Sequence, residues 1–306
     1  MIVYVAAAGH TRTHQSVLDE PDRGFDFQLA TYAELRNSKR LRRATYILSD
    51  LDRLSATQLR EAAGFYRTLR DGGCRVLNNP ARVLSRYGLL RTLHNAGLNS
   101  FNAYRVEEQV EPRRFPVFLR TEGDHGYPSS GLVNSPAELK QAVRRAVDLG
   151  RPLASLLVIE YAAEPIAGEL FRKLSVFQVG GKRLACANVH QESWLVKYGT
   201  EGVATEELYE DEARIVRDNP YGDALARAFK LGGVDYGRAD FGIVGGRVEV
   251  YEINSNPDVK LRPKPHPFAR RVETGELYRQ QYLQAMAELD KRPLPPRAPS
   301  AAEPNG

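Results

Sequence analysis

The 306-residue sequence predicts an α/β protein with α+β parts, and three observations carry that expectation. Short β-branched runs alternate with helix-patterned stretches over residues 1–80, as in a small parallel α/β domain. Further on, two pairs of apolar strands are each joined by a Gly-Gly turn, the mark of antiparallel hairpins. The chain is also long for one core, so two or three packed subdomains are expected.

Met1–Ala8 reads as the first strand. It is apolar but lacks a basic leader, and it reaches His10, Thr11 and Arg12 too early for a secretory signal. Ala44–Leu48 is a second strand, closed by Ser49–Asp50. Ser55–Leu69 has helical spacing, with Leu59, Ala62, Ala63, Tyr66 and Leu69 on one face, Ser55 as N-cap and Asp71-Gly72-Gly73 as the stop. Cys74–Leu77 is a short strand broken by Asn78-Asn79-Pro80. A helix is expected from Ala81 to Gly97, then strands at Ala103–Val106 and Pro116–Arg120. A Gly/Ser-rich loop, Glu122–Gly131, precedes a helix over Ser135–Leu149 with Pro136 at its first position. Leu156–Tyr161 is a buried-type strand.

From Phe171 the pattern becomes a meander. One hairpin joins Leu174–Val179 to Arg183–Val189 through Gly180-Gly181. A helix over Asp223–Leu231 ends at Gly232-Gly233, and a second hairpin joins Arg238–Val244 to Arg247–Ile253 through Gly245-Gly246. Thr274–Leu289 is a terminal amphipathic helix. The expected divisions are therefore 1–80, 81–160, 161–290 and a tail, 291–306, whose Pro, Ala and Ser content predicts disorder.

Composition narrows the function. Hydrophobic residues at 42% and charged residues at 26% suit a soluble globular protein, with no apolar run near the roughly 20 residues of a membrane span. A cytoplasmic location with no membrane partner is the default expectation. Cys74 and Cys186 lie far apart, without metal-binding spacing, and read as buried free thiols. A net charge of +5 suits anionic ligands and is too mild to indicate nucleic acid. A homodimer is expected only on base rates.

The most informative segment is Tyr236–Pro257. Asp240 lies on the first strand of the second hairpin, and Glu252 and Asn254, two apart, point to one face of the second strand. The even numbering of Asp240 and Glu252 about the Gly245-Gly246 turn sets them on the same side. Two carboxylates there repel unless a cation lies between them, and Mg²⁺ takes hard oxygen ligands while keeping sites for phosphate. The apolar neighbours Phe241, Ile243, Val248, Val250 and Ile253 argue against a merely solvated face.

This segment resembles the metal-binding end of ATP-grasp enzymes. It is similar to D-alanine–D-alanine ligases, in which an Arg-x-Asp strand precedes a Glu-x-Asn strand and a proline, and to the ligases that add glutamate to a ribosomal protein. The resemblance, extending over about residues 80–290, implies an ATP-grasp fold with ATP held between two α+β subdomains. It implies that Asp240, Glu252 and Asn254 hold one or two Mg²⁺ ions (Mn²⁺ being an alternative), and that Arg238 stabilises the phosphoryl group or the tetrahedral intermediate. Arg120 and Arg86 occupy places of family lysines that bind phosphate, and arginine can do so bidentately. Gly123–Gly131, with Ser129 and Ser130, takes the place of the glycine-rich lid. Leu156–Ala163 resembles the adenine-binding link: Glu160 would accept from the adenine amino group or orient the hinge, and the Tyr161–Ala162 backbone would contact the base. Glu169 matches a ribose-binding acid, and Lys173 a strand lysine facing the triphosphate.

Several residues stay open between chemistry and packing. These are His125 in the loop, the stretch His190, Glu192, Trp194 and Lys197, and the basic run Lys260, Arg262 and Lys264. The activity implied is carboxylate–amine ligation through an acyl phosphate, with small-molecule or peptide substrates. A kinase using the same ATP site and a non-catalytic ATP-binding protein are the alternatives.

Overall fold

A computed structural model describes residues 1–109 and 111–298. The N-terminal part runs β1 (Ile2–Ala6), α1 (Gln15–Leu18), β2 (Phe27–Thr31), α2 (Tyr32–Asn37), β3 (Thr45–Leu48), α3 (Ala56–Asp71) and β4 (Arg75–Leu77). Its four strands are all parallel, in the order β2-β1-β3-β4. The β-branched run of β1 is wholly buried, as a strand covered on both faces must be. Ser55 caps α3 as expected, in a reciprocal box with Gln58. β2 and α2 were not foreseen. β2 is only five residues long and its burial does not alternate, so the period-2 mark of a strand is missing.

The middle of the chain supplies α4 (Arg86–Asn95), β5 (Ala103–Arg105), β6 (Val117–Thr121), α5 (Pro136–Asp148) and β7 (Leu156–Glu160). The three strands form an antiparallel sheet, β5-β7-β6, with its own core of Tyr104, Val117, Leu119, Ala146, Leu156 and Val158. The helix expected from Ala81 begins instead at Arg86. Arg82 and Val83 both donate to the Asn79 carbonyl, and the Ser85 hydroxyl accepts from Gly88 N–H as the N-cap.

The rest is β8 (Pro165–Ala167), β9 (Leu170–Val179), β10 (Lys182–Ala185), β11 (Val189–Gln191), α6 (Glu206–Asp218), α7 (Gly222–Gly232), β12 (Tyr236–Val244), β13 (Arg247–Asn254) and α8 (Ala269–Lys291). A six-stranded sheet runs β10-β9-β12-β13, with β8 and β11 also paired to β9. The strand expected over Arg183–Val189 is two strands, because the chain leaves the β9 ladder after Ala185 and rejoins it at Val189. Helix α6 lies in a stretch with no expected element. Thr205 followed by Glu206 and Glu207, and the buried Tyr209, Glu212, Ile215 and Val216, are the signals that mark it.

One core joins the first sheet to the last. Tyr4 and Phe27 pack in one cluster with Phe177, Tyr236, Tyr282 and Met286. A buried hydrogen-bond chain threads it. Tyr236 Oη lies 2.6 Å from both Tyr282 Oη and His14 Nε2, and His14 Nδ1 lies 3.0 Å from Thr13 Oγ1. Thr13 Oγ1 and Tyr4 Oη both donate to Asn256 Oδ1, at 2.6 and 2.7 Å. With the Thr13 hydroxyl proton given to Asn256, His14 must donate from Nδ1 and accept at Nε2.

The expected disordered tail is partly placed. Lys291 still belongs to α8, and the next residues lie against the first sheet. Arg75 donates to the carbonyls of Leu289, Arg292 and Pro293, and Arg43 to those of Leu294 and Pro295. Proline-rich chain offers few N–H donors but all its carbonyls, which two guanidinium groups can satisfy. Residues 299–306 lie outside the described residues.

Candidate active site

The cleft lies between the three-stranded and six-stranded sheets. Counting its open mouth it spans about 1060 Å³, the scale of a cofactor or small-molecule site. One end is apolar and the other densely charged.

The charged end starts from the β12–β13 pair. Asp240 stands directly opposite Glu252 in the ladder. Parity about the two-residue turn does not achieve this. The register from Val244↔Arg247 to Phe241↔Val250 would set Asp240 against Tyr251. A register shift after Phe241 leaves Tyr251 as the extra residue and swings Glu252 into line, the re-aiming that bulges supply. The displaced Tyr251 ring lies across Gly242, with its hydroxyl 2.9 Å from the Ala162 carbonyl. A Cβ on Gly242 would sit 2.2 Å from that hydroxyl. Gly242→Ala is therefore expected to cost about 1–3 kcal/mol by overpacking. A urea melt reads this directly, and an unchanged midpoint would show that the ring moves freely.

Asp240 is 2% exposed. Its Oδ1 accepts from Arg238 Nε at 2.8 Å and Ser175 Oγ at 2.9 Å, and Lys173 Nζ lies 3.2 Å from Oδ2. Burial works to raise its carboxyl, but the Arg238 and Lys173 cations outweigh burial and hold it well below the usual range. Glu252 pairs with Arg86 at the first turn of α4. There too burial opposes ionisation, and Arg86 overrides it, so the net shift is downward. Asn254 sits opposite Arg238, and its Oδ1 accepts from Asn256 N–H at 2.7 Å.

Arg120 and Arg86 meet beneath the 122–131 loop. Arg120 donates to the Asp124 and Gly126 carbonyls, at 3.1 and 3.3 Å, and Arg86 to the Asp124 carbonyl at 2.9 Å. Burial first, and then the neighbouring Arg86, push the Arg120 guanidinium down to about 10. Among the described residues its Nε is buried without a partner. Four cations, Arg86, Arg120, Lys173 and Arg238, thus surround two carboxylates. That surplus suits a polyanion.

The donor set was weighed for a divalent ion. No group of three or more His, Cys, Asp and Glu side chains suited to a metal occurs among the described residues. Two opposed carboxylates and a carboxamide remain. They are all hard oxygen donors, and they fit an ion that takes its other ligands from phosphate and water.

The apolar end is built from Leu90, Phe101, Ile159, Ile243 and Tyr251, faced by Trp194, whose ring packs against Phe118 and Tyr161 at 5.1 and 5.8 Å. At the hinge, Tyr161 N–H donates to the Pro116 carbonyl, and the Ala162 carbonyl is used by Tyr251. The Tyr161 carbonyl and the Ala162 N–H stay free among the described residues.

Three expected contacts are not assembled here. Glu160 borders the cleft but its carboxylate is spent, accepting from Asn102 N–H at 3.0 Å, Tyr104 Oη at 2.8 Å and Arg113 N–H at 3.1 Å, with Arg114 beside it. With these partners the carboxylate has no oxygen to spare for the cleft. Ser129 and Ser130 are stitched to β6, through Ser129 N–H to the Leu119 carbonyl and Leu119 N–H to Ser130 Oγ. His125 and Gly126 line the cleft in their place. Glu169 stands exposed between β8 and β9 and does not line the cleft, whereas Glu164 does. His190 is buried, and its imidazole is pushed down to about 4, by burial and then by Arg172 and Arg271. Lys197 lies over the Tyr127 ring at 4.5 Å.

Sheet order, central antiparallel layer and opposed hairpin together define the ATP-grasp fold, and the chain has it. The D-Ala:D-Ser ligase VanG of Enterococcus faecalis superposes with a TM-score of 0.53 at 14% identity, covering 94% of this chain and 98% of that one. A D-alanine–D-alanine ligase from Bacillus anthracis, in complex with ATP, gives 0.51 at 12% identity, over 94% and 99%. A RimK-domain ATP-grasp protein from Sphaerobacter thermophilus gives 0.50 at 14% identity, over 92% and 98%. No protein-family model and no curated protein matches the sequence.

Proposed function

We propose that this chain is an ATP- and magnesium-dependent carboxylate–amine ligase. The observation that carries the reading is Asp240 opposed to Glu252 inside a ring of four cations, at the far end of an apolar slot. The slot would take adenine, with the Tyr161 carbonyl accepting from its amino group and the Ala162 N–H donating to its ring. Glu164 replaces Glu169 as the acid nearest the ribose. Arg86, Arg120 and Lys173 would bind the phosphates, releasing contacts they now make to loop carbonyls and carboxylates. Asp240, Glu252 and Asn254 would hold Mg²⁺, which when bound offsets charge between the phosphate groups. Arg238, fixed by Asp240, would stabilise charge on the acyl group under attack. The ligase reading also draws on the D-alanine and D-serine ligases that share this architecture.

The test incubates the chain with Mg-ATP, pooled carboxylates and hydroxylamine. Equal amounts of ADP and free phosphate, with a hydroxamate, are the expected result. ADP without phosphate would mean a kinase. Omitting Mg²⁺ is expected to abolish turnover.

A further inference from the structure

Beyond the cleft, an imidazole–carboxylate pair sits where strands β1 and β3 end. His10 Nδ1 lies 2.7 Å from Asp50 Oδ2. Asp50 is fully buried and held in the left-handed region at φ 59°, a conformation that an aspartate adopts more readily than most residues. Its oxygens also accept from Ala7 N–H at 3.3 Å and from the Arg53 guanidinium. A carboxylate so placed accepts, so in the neutral imidazole the His10 proton is on Nδ1 and the lone pair is on Nε2. The His10 side chain is 42% exposed, and Nε2 has no partner among the described residues.

This pair is tied by hydrogen bonds to the segment that follows β13, the strand carrying Glu252 and Asn254. The His10 carbonyl accepts from Asn256 Nδ2 at 3.3 Å, and Asn256 N–H is bound to Asn254. Leu51 N–H, next to Asp50, donates to Ser255 Oγ at 3.3 Å. Asp52, two residues after Asp50, pairs with His125 of the loop over the cleft. The turn after β3 thus touches both the end of β13 and the loop covering the phosphate side. Among the described residues, the ion pairs on this side are His10–Asp50 and Arg53–Asp50, with Asp52–His125 further along the same turn.

We infer that His10 is the proton acceptor for the incoming amine and that Asp50 positions it. The inference rests on the ligase reading. An amine arrives as an ammonium ion and cannot attack until it loses a proton. His10 Nε2 takes that proton, and the freed lone pair forms the C–N bond. The acyl C–O bond to phosphate then breaks, its electron pair leaving with the phosphate. The second surplus proton on nitrogen passes to the departing phosphate. General-base help of this kind is worth about 10²-fold or more.

The experiment uses the full chain with Mg-ATP and the carboxylate selected by hydroxamate formation. Two nucleophiles are compared at neutral pH: hydroxylamine, largely unprotonated, and a pool of protonated amines made of amino acids and their amides. His10→Gln is expected to lose about 10²-fold in amide formation while keeping hydroxamate formation near wild type. Asp50→Asn, which tolerates the same backbone conformation and favours the wrong tautomer, is expected to show the same selective loss. Equal losses with both nucleophiles, or none with either, would overturn the inference and leave the ligase reading standing. So would a wild-type chain that forms hydroxamate but uses no protonated amine. A wild-type chain that forms no hydroxamate would remove the ligase reading, and this inference with it.

Discussion

Glu252→Gln is expected to reduce ATP-dependent turnover by at least about 10²-fold and to leave the fold intact. The glutamine carbonyl can still accept from Arg86, so the α4–β13 contact survives. What is lost is the anionic charge facing Asp240 across the ladder. Asp240→Asn should cost activity as severely, but it should also destabilise. Arg238 and Lys173 both converge on that buried carboxylate and would be left without their counter-ion. Steady-state turnover and thermal melts of the two variants separate these effects. Wild-type turnover in Glu252→Gln would remove the paired carboxylates from the chemistry.

The second large effect is acid lability. Burial pushes the His14 imidazole from its ordinary 6.5 down to about 3. The unfolded chain therefore takes up a proton below pH 6.5 that the native chain refuses until near pH 3. The stability this represents is present above 6.5 and is lost as pH falls through that window. At about 1.4 kcal/mol per pH unit, roughly 2 kcal/mol goes between pH 6.5 and pH 5. His190, pushed to about 4, adds in the same direction. His14→Gln should flatten the decline, because an amide can bridge Thr13 and Tyr236 without titrating. Urea midpoints measured from pH 7.5 down to pH 5 check this, and parallel declines in wild type and variant would contradict it.

Local signals made much of this architecture legible. Each Gly-Gly turn brackets its hairpin, Ser55 and Ser135 begin their helices, and Arg238, Asp240, Glu252 and Asn254 lie on two adjacent strands. What stayed hidden depends on distant partners. The bulge at Tyr251 follows from packing over Gly242 and against Ala162, which no reading of the hairpin alone contains. Glu160 reads as a cleft acid until Asn102, Tyr104 and Arg113 are seen to use its oxygens. The His10–Asp50 pair joins residues forty apart that meet only because β1 and β3 are parallel neighbours.

The shared core has a mechanical consequence. Tyr4 on β1 and His14 just before α1 are bonded to Asn256, past the end of β13, and to Tyr236 on β12, and Arg43 and Arg75 hold the chain that follows α8. Those two sheets behave as one anvil. The β5-β7-β6 layer has its own core on one face and shares the other with Leu90 of α4 and Tyr251 of β13, and the chain enters and leaves it near Asn102 and Tyr161. The cleft is thus bounded on one side by this joined pair of sheets and on the other by the β5-β7-β6 layer, to which the Asp52–His125 contact ties the turn after β3.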